Sequence, residues 1–115
     1  MTSKQKAKGS QWERDVAKAF NEGGFPSVER RYGAGAQQDK GDLNGLQGFV
    51  VECKNVGRVS LNSIMDETEV ERTNAQVPFG IAVIKRRNKP TGEAHVVMPL
   101  NQFIDLLAIA TGAYN

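Results

Sequence analysis

A chain of 115 residues with 39% apolar and 24% charged side chains is one domain of ordinary size, with enough length for a real core. One cysteine excludes an internal disulfide, no apolar run approaches a membrane span, and MTSKQKAKGS lacks a signal-peptide core, so a cytoplasmic location is expected. A formal net charge of +2, from 15 basic and 13 acidic residues, excludes a uniformly cationic surface but hides local basic patches suited to phosphate.

Residues 1–9 read as a flexible basic arm carrying Lys4, Lys6 and Lys8, and residues 10–115 as a single domain. SQWERDVAKAFNEGG predicts a helix. Ser10 suits the N-cap, and Glu13 stands at capping-box spacing from it. Trp12, Val16, Ala19 and Phe20 form an apolar stripe for the core, and Gly23-Gly24 ends the helix. SVERRY is a short strand with Arg30 and Arg31, followed by the glycine-rich loop YGAGAQQDKG. GDLNGLQGFVVECK reads as a hairpin. SLNSIMDETEVERTNA is a second helix, with Leu61, Ile64, Met65, Thr68 and Ala75 inside and its acidic side toward solvent or a partner subunit. FGIAVI suits a buried central strand. KRRNKPTGE is a basic turn bearing Lys85, Arg86 and Arg87. AHVVM is a further strand, and its lone His95 is given no catalytic role. Leu100, Phe103, Ile104 and Leu107 line one face of a closing helix that begins near Pro99. Helix, three strands, helix, two strands and helix make a mixed α/β domain with helices flanking one sheet.

The hairpin concentrates the chemistry. Along FVVECK, side chains alternate, so Val50, Glu52 and Lys54 share one face while Val51 and Cys53 share the other. Cys53 is then a packing residue. Two turns are open. A tight Asn44-Gly45 turn separates Asp42 from Glu52. A three-residue Leu46-Gln47-Gly48 loop, with Gly48 left-handed, sets Asp42 opposite Glu52 with Cβ atoms roughly 5 Å apart. The second keeps FVVECK uninterrupted and is the expected register. Facing carboxylates repel unless a proton or a divalent cation sits between them, and oxygen-only ligands suit Mg²⁺. Such a cation would ease deprotonation of water and neutralise phosphate oxygens, while Lys54 orients the water or stabilises the extra charge. Against this stands an ordinary cross-strand Glu–Lys pair on a protein surface.

With these residues in place, GD, then ECK, resembles the PD-(D/E)XK nuclease superfamily. Within it, the order of elements is similar to that of the archaeal-type Holliday junction resolvases, which some phages also carry. KGSQWERDVAKAF, GGF, the arginine-containing strand, the GAGA loop, GD, ECK and IAVIKRR follow that family's order over nearly the whole chain. The resemblance implies a restriction-endonuclease-like fold, a mixed central sheet flanked by helices, as a single nuclease domain over 10–115. It implies Asp42 and Glu52 as metal ligands, Lys54 as the catalytic lysine, and Glu13 as a first-helix glutamate completing the metal site. For Glu13 the capping-box role remains a competing reading. Gly41 stands where the superfamily has proline. Ala34 and Ala36 stand where archaeal members often carry a serine, with Gln37, Gln38 or Lys40 as its replacement if one is needed.

The expected activity is therefore a Mg²⁺-dependent endodeoxyribonuclease, with Mn²⁺ as a substitute, that hydrolyses phosphodiester bonds at four-way junctions. It would act as a homodimer matching the junction's two-fold symmetry, with no organic cofactor and no membrane partner. Lys4, Lys6, Lys8, Arg30, Arg31, Lys85, Arg86 and Arg87 are the candidate phosphate contacts, giving salt-sensitive binding with little base preference. Two alternatives stand beside it. One is a nuclease of the same fold acting on duplex ends, flaps or RNA. The other is a non-catalytic nucleic-acid-binding dimer, indifferent to metal.

Overall fold

A computed structural model describes residues 3–31 and 40–113. Its element order is α1 (Ser3–Glu22), β1 (Glu29–Arg30), β2 (Leu43–Asn44), β3 (Phe49–Lys54), α2 (Leu61–Ala75), β4 (Phe79–Ile84), a 3-10 turn at Thr91–Glu93, β5 (His95–Val97) and α3 (Leu100–Thr111). The five strands form one mixed sheet in the order β1-β2-β3-β4-β5. β3 and β4 run parallel and the other neighbours antiparallel. This is an α/β architecture consistent with a restriction-endonuclease-like fold. No helix among the described residues is long and apolar enough to cross a membrane.

The sheet's two faces follow from strand alternation. Val51 and Cys53 of β3 and Ile81 and Val83 of β4 pack with Trp12, Val16 and Ala17 of α1. Ala82 and Ile84 pack with Ile64 on the α2 side. Trp12 is a core residue, as its place in the helical stripe predicts, and its indole N–H donates to the Val83 carbonyl at 3.2 Å. Gly80 lets α2 lie close to β4, since a Cβ there would meet Thr68 at 3.2 Å and Arg72 at 3.3 Å. Cys53 is buried among apolar side chains, and burial pushes its thiol well above the ordinary range, which removes it as a nucleophile.

Three expectations are corrected. The first helix begins at Ser3 rather than Ser10, so residues 3–9 are helical and carry Lys4, Lys6 and Lys8 on exposed turns. Ser10 is therefore inside the helix and is no N-cap. The lysine-rich segment has no helix breaker before Gly9, and one glycine costs only about 1 kcal/mol in a helix.

The inner face of α2 is made by Ile64, Thr68 and Glu71, whereas Leu61 is exposed. Most of the apolar face of α3 is also exposed: Leu100 (72%), Phe103, Ile104 (54%) and Leu107. The buried residue of α3 is Gln102. Its side-chain carbonyl accepts from the Gly80 N–H at 2.8 Å, a donor that short β5 does not reach, because β5 pairs only with Ala82–Ile84.

Candidate metal and phosphate site

The hairpin register places the site. β2 and β3 pair with Leu43 opposite Val51, and the Asp42 N–H donates to the Val51 carbonyl at 2.9 Å. Asp42 therefore lies opposite Glu52. The turn closes over Leu46–Phe49, where the Phe49 N–H donates to the Leu46 carbonyl and Gly48 has φ +85°. Glycine is required more strictly at Gly45 (φ +91°), where a Cβ would lie 2.1 Å from the Ser27 carbonyl oxygen.

One Asp42 oxygen, Oδ2, accepts from the Cys53 backbone N–H at 2.8 Å, which fixes the carboxyl group against β3. The Asp42 and Glu52 carboxyl groups face each other across the strand pair. Two facing carboxyl groups avoid repulsion only when a proton or a cation lies between them. Burial is the largest cause holding the Asp42 carboxyl up at about 8, and the Glu52 carboxylate adds to it. Burial likewise lifts Glu52 to about 8, with Glu71 raising it further. Glu52 is 3% exposed, and its Oε2 is buried with no hydrogen-bond partner among the described residues. An oxygen-only pair with one member buried and the other half-buried, under-supplied with donors, fits a divalent cation.

Lys54 ends β3 on the same face as Glu52. Its Nζ lies 3.9 Å from Glu52 Oε1 and donates to both Glu67 oxygens, at 3.2 and 3.3 Å. Burial pulls its pKa down, but the carboxylates of Glu52, Glu67 and Asp42 outweigh this and raise it, so Lys54 is an ammonium donor rather than a base.

Glu13 reaches the same cleft from α1. Its carboxylate accepts from Arg30 Nε at 2.9 Å, and Arg30 also donates to the Ser10 hydroxyl at 3.1 Å. The capping-box reading of Glu13 thus gives way to an Arg30 pair. Burial raises the Glu13 pKa, the Arg30 hydrogen bond opposes this, and nearby Asp42 adds to the rise.

An open cleft of about 890 Å³ is lined by Lys6, Lys8, Glu13, Arg30, Asp42, Glu52, Lys54 and Glu67. A neighbouring groove shares Lys8 and Asn55–Gly57 with it and continues to Lys85, Arg86, Arg87 and His95. The cations of the two grooves are thus contiguous. Within this groove, Lys85 Nζ lies 5.6 Å from the Trp12 ring centroid, and Arg86 is 3.8 Å from Glu93. The remaining candidate cations stand apart. Arg31 lines a separate groove with Lys40, and Lys4 lies on α1 one turn before Lys8, outside both clefts. Ala34, Ala36, Gln37 and Gln38 fall outside the described residues.

The residues missed by sequence reasoning are Glu67 and Glu71. The acidic helix was expected to face away from this site, yet Glu67 lines the cleft and Glu71 is 1% exposed beside Glu52. Helical spacing carries the signal, since Ile64, Thr68 and Glu71 follow at i, i+4 and i+7 and share one face. A family model described as "Phage putative PDDEXK endonuclease" matches residues 4–104. No curated protein and no solved structure matches the chain.

Proposed function

The chain belongs to this phage PDDEXK endonuclease family, and we propose that it is a nuclease, specifically a Mg²⁺-dependent endonuclease selective for four-way DNA junctions. The observation that carries the metal-dependent reading is the facing Asp42–Glu52 carboxyl pair, Glu52 buried and Asp42 half-buried, both held up at about 8 and opening onto a cleft that also holds Lys54. Asp42 and Glu52 would hold the cation, with Glu13 completing the set when Arg30 releases it. When bound, the cation supplies charge neutralisation at the scissile phosphate and a lowered pKa for water. The Cys53 N–H keeps Asp42 aimed at the site. Lys54 donates to a non-bridging phosphate oxygen as negative charge builds there. Lys6, Lys8, Lys85, Arg86 and Arg87 track the sugar–phosphate backbone without reading bases, and Lys4 extends this track along α1. Arg31 lies apart from it and would contact a second duplex arm.

Junction selectivity requires two active sites with fixed spacing, which a two-fold dimer provides. The exposed stripe of Leu100, Phe103, Ile104 and Leu107 on α3 favours that assembly through a second copy of the chain, because packing among the described residues leaves it uncovered. Ile104→Glu is expected to convert a dimer to a monomer in light scattering and to abolish paired junction cuts. An unchanged mass would remove α3 as the interface.

The test of function offers matched four-way junction and linear duplex DNA, with Mg²⁺, to the wild type and Lys54→Ala. Junction cutting should exceed linear cutting, and Lys54→Ala should slow it by about 10²–10³-fold with cation binding retained. Equal cutting of both substrates would favour a nuclease acting on duplex ends or flaps. DNA binding that ignores Mg²⁺, with no cutting, would favour a non-catalytic binder.

A further inference from the structure

We propose that Glu52, Glu67 and Glu71 form a second divalent-cation site on the α2 side of Glu52, with Glu52 shared between it and the Asp42 side. One carboxylate oxygen from each of the three lies within 4.8 Å of the others, a spacing that a single hard cation spans. Three clustered acids are common without an ion, so the case rests on burial and pairing. Glu52 is the most constrained member. It is 3% exposed, has acid neighbours in both Asp42 and Glu71, and keeps Oε2 buried without a hydrogen-bond partner among the described residues. A buried carboxylate oxygen in that setting requires a proton or a cation. Glu71 adds a second, 1% exposed carboxyl group from α2, so the third and half-exposed member, Glu67, is the side from which an ion enters.

Lys54 defines how such a site would be used. Its ammonium now occupies Glu67 at 3.2 and 3.3 Å and stands 3.9 Å from Glu52. An ion held by Glu52, Glu67 and Glu71 competes for Glu67 and repels the ammonium. The second site therefore releases Lys54 from α2 toward the cleft side, where the phosphate would lie. This inference rests on the nuclease reading of Asp42 and Glu52, and its test separates the two.

Mn²⁺ bound per chain is counted by electron paramagnetic resonance at pH 8, with folding of each variant verified by thermal melting. The wild type should bind two ions. Glu67→Gln keeps the fold, because its side chain is half exposed, and should bind one ion normally and the other at least tenfold more weakly. Glu71→Gln should do the same from the buried side. Lys54→Met, lacking the competing ammonium, should bind the second ion at least threefold more tightly. One ion in the wild type, unchanged binding in Glu67→Gln, or no tightening in Lys54→Met would each overturn the second site. Asp42→Asn should lose the other ion and keep this one. Two ions retained at full affinity in Asp42→Asn would overturn the Asp42 reading and leave the Glu52–Glu67–Glu71 site standing.

Discussion

Glu52→Gln is expected to lower DNA cleavage by at least about 10³-fold while leaving the metal-free protein as stable as the wild type, or more so, at pH 8. A bound cation's charge stabilisation is worth several kcal/mol in the transition state, and each 1.36 kcal/mol is a factor of ten in rate. Glu52 is the residue on which both acidic neighbours converge, so its loss removes the anion that anchors the cation. The folded protein has the opposite interest. The glutamine keeps the side chain's shape, removes a buried charge flanked by Asp42 and Glu71, and supplies an amide that donates to either. Cleavage gels and thermal melting in chelator measure the two halves. A variant that loses activity and also melts far below the wild type would mean that Glu52 is chiefly structural. A fully active variant would remove it from the site.

Melting temperature in chelator should fall as pH rises, and Mg²⁺ or Mn²⁺ should restore it only toward the alkaline end. The sign follows from the direction of the shifts. Asp42 and Glu52 have ordinary values of 3.8 and 4.5, and the folded protein holds both at about 8. A carboxyl group that holds its proton more tightly when folded adds stability that is complete below the unfolded value. That stability is lost as pH climbs through the folded value. The losing window therefore runs from about pH 4 to 8. A cation prefers the ionised pair, so it competes with protons and gains affinity over the same window. At a hundredfold excess over Kd it adds about 2.7 kcal/mol. For a domain of this size that is roughly 10 °C in Tm. Differential scanning fluorimetry at pH 5, 6.5 and 8, with chelator or with metal, tests both trends. A metal shift as large at pH 5 as at pH 8 would mean that the cation binds elsewhere.

The sequence alone determined the elements that obey short-range rules. FVVECK alternates, so Glu52 and Lys54 share a face. For the hairpin the sequence narrowed the turn to two, Asn44-Gly45 or Leu46-Gln47-Gly48, and the structure takes the second, with Gly48 left-handed, Leu43 against Val51 and Asp42 against Glu52. FGIAVI, apolar throughout, is the buried central strand. Each of these depends on neighbours a few residues away, and backbone stereochemistry leaves them few alternatives.

Other features depended on what packs against what. Ser10 satisfies a capping pattern, yet the helix runs on to Ser3, because a cap signal cannot exclude upstream residues that are themselves helix formers. Glu13 then pairs with Arg30, seventeen residues away and on another element. The α3 stripe has ideal core periodicity, yet periodicity states only that a face is apolar and is silent on which partner covers it. Glu71 shows the same limit in reverse. Its helical phase placed it with Ile64 and Thr68, while its charge suggested solvent. Only the β3–α2–β4 crossover, which lays that face of α2 over the Glu52 side of the sheet, decided that a third carboxylate would stand beside the Asp42–Glu52 pair.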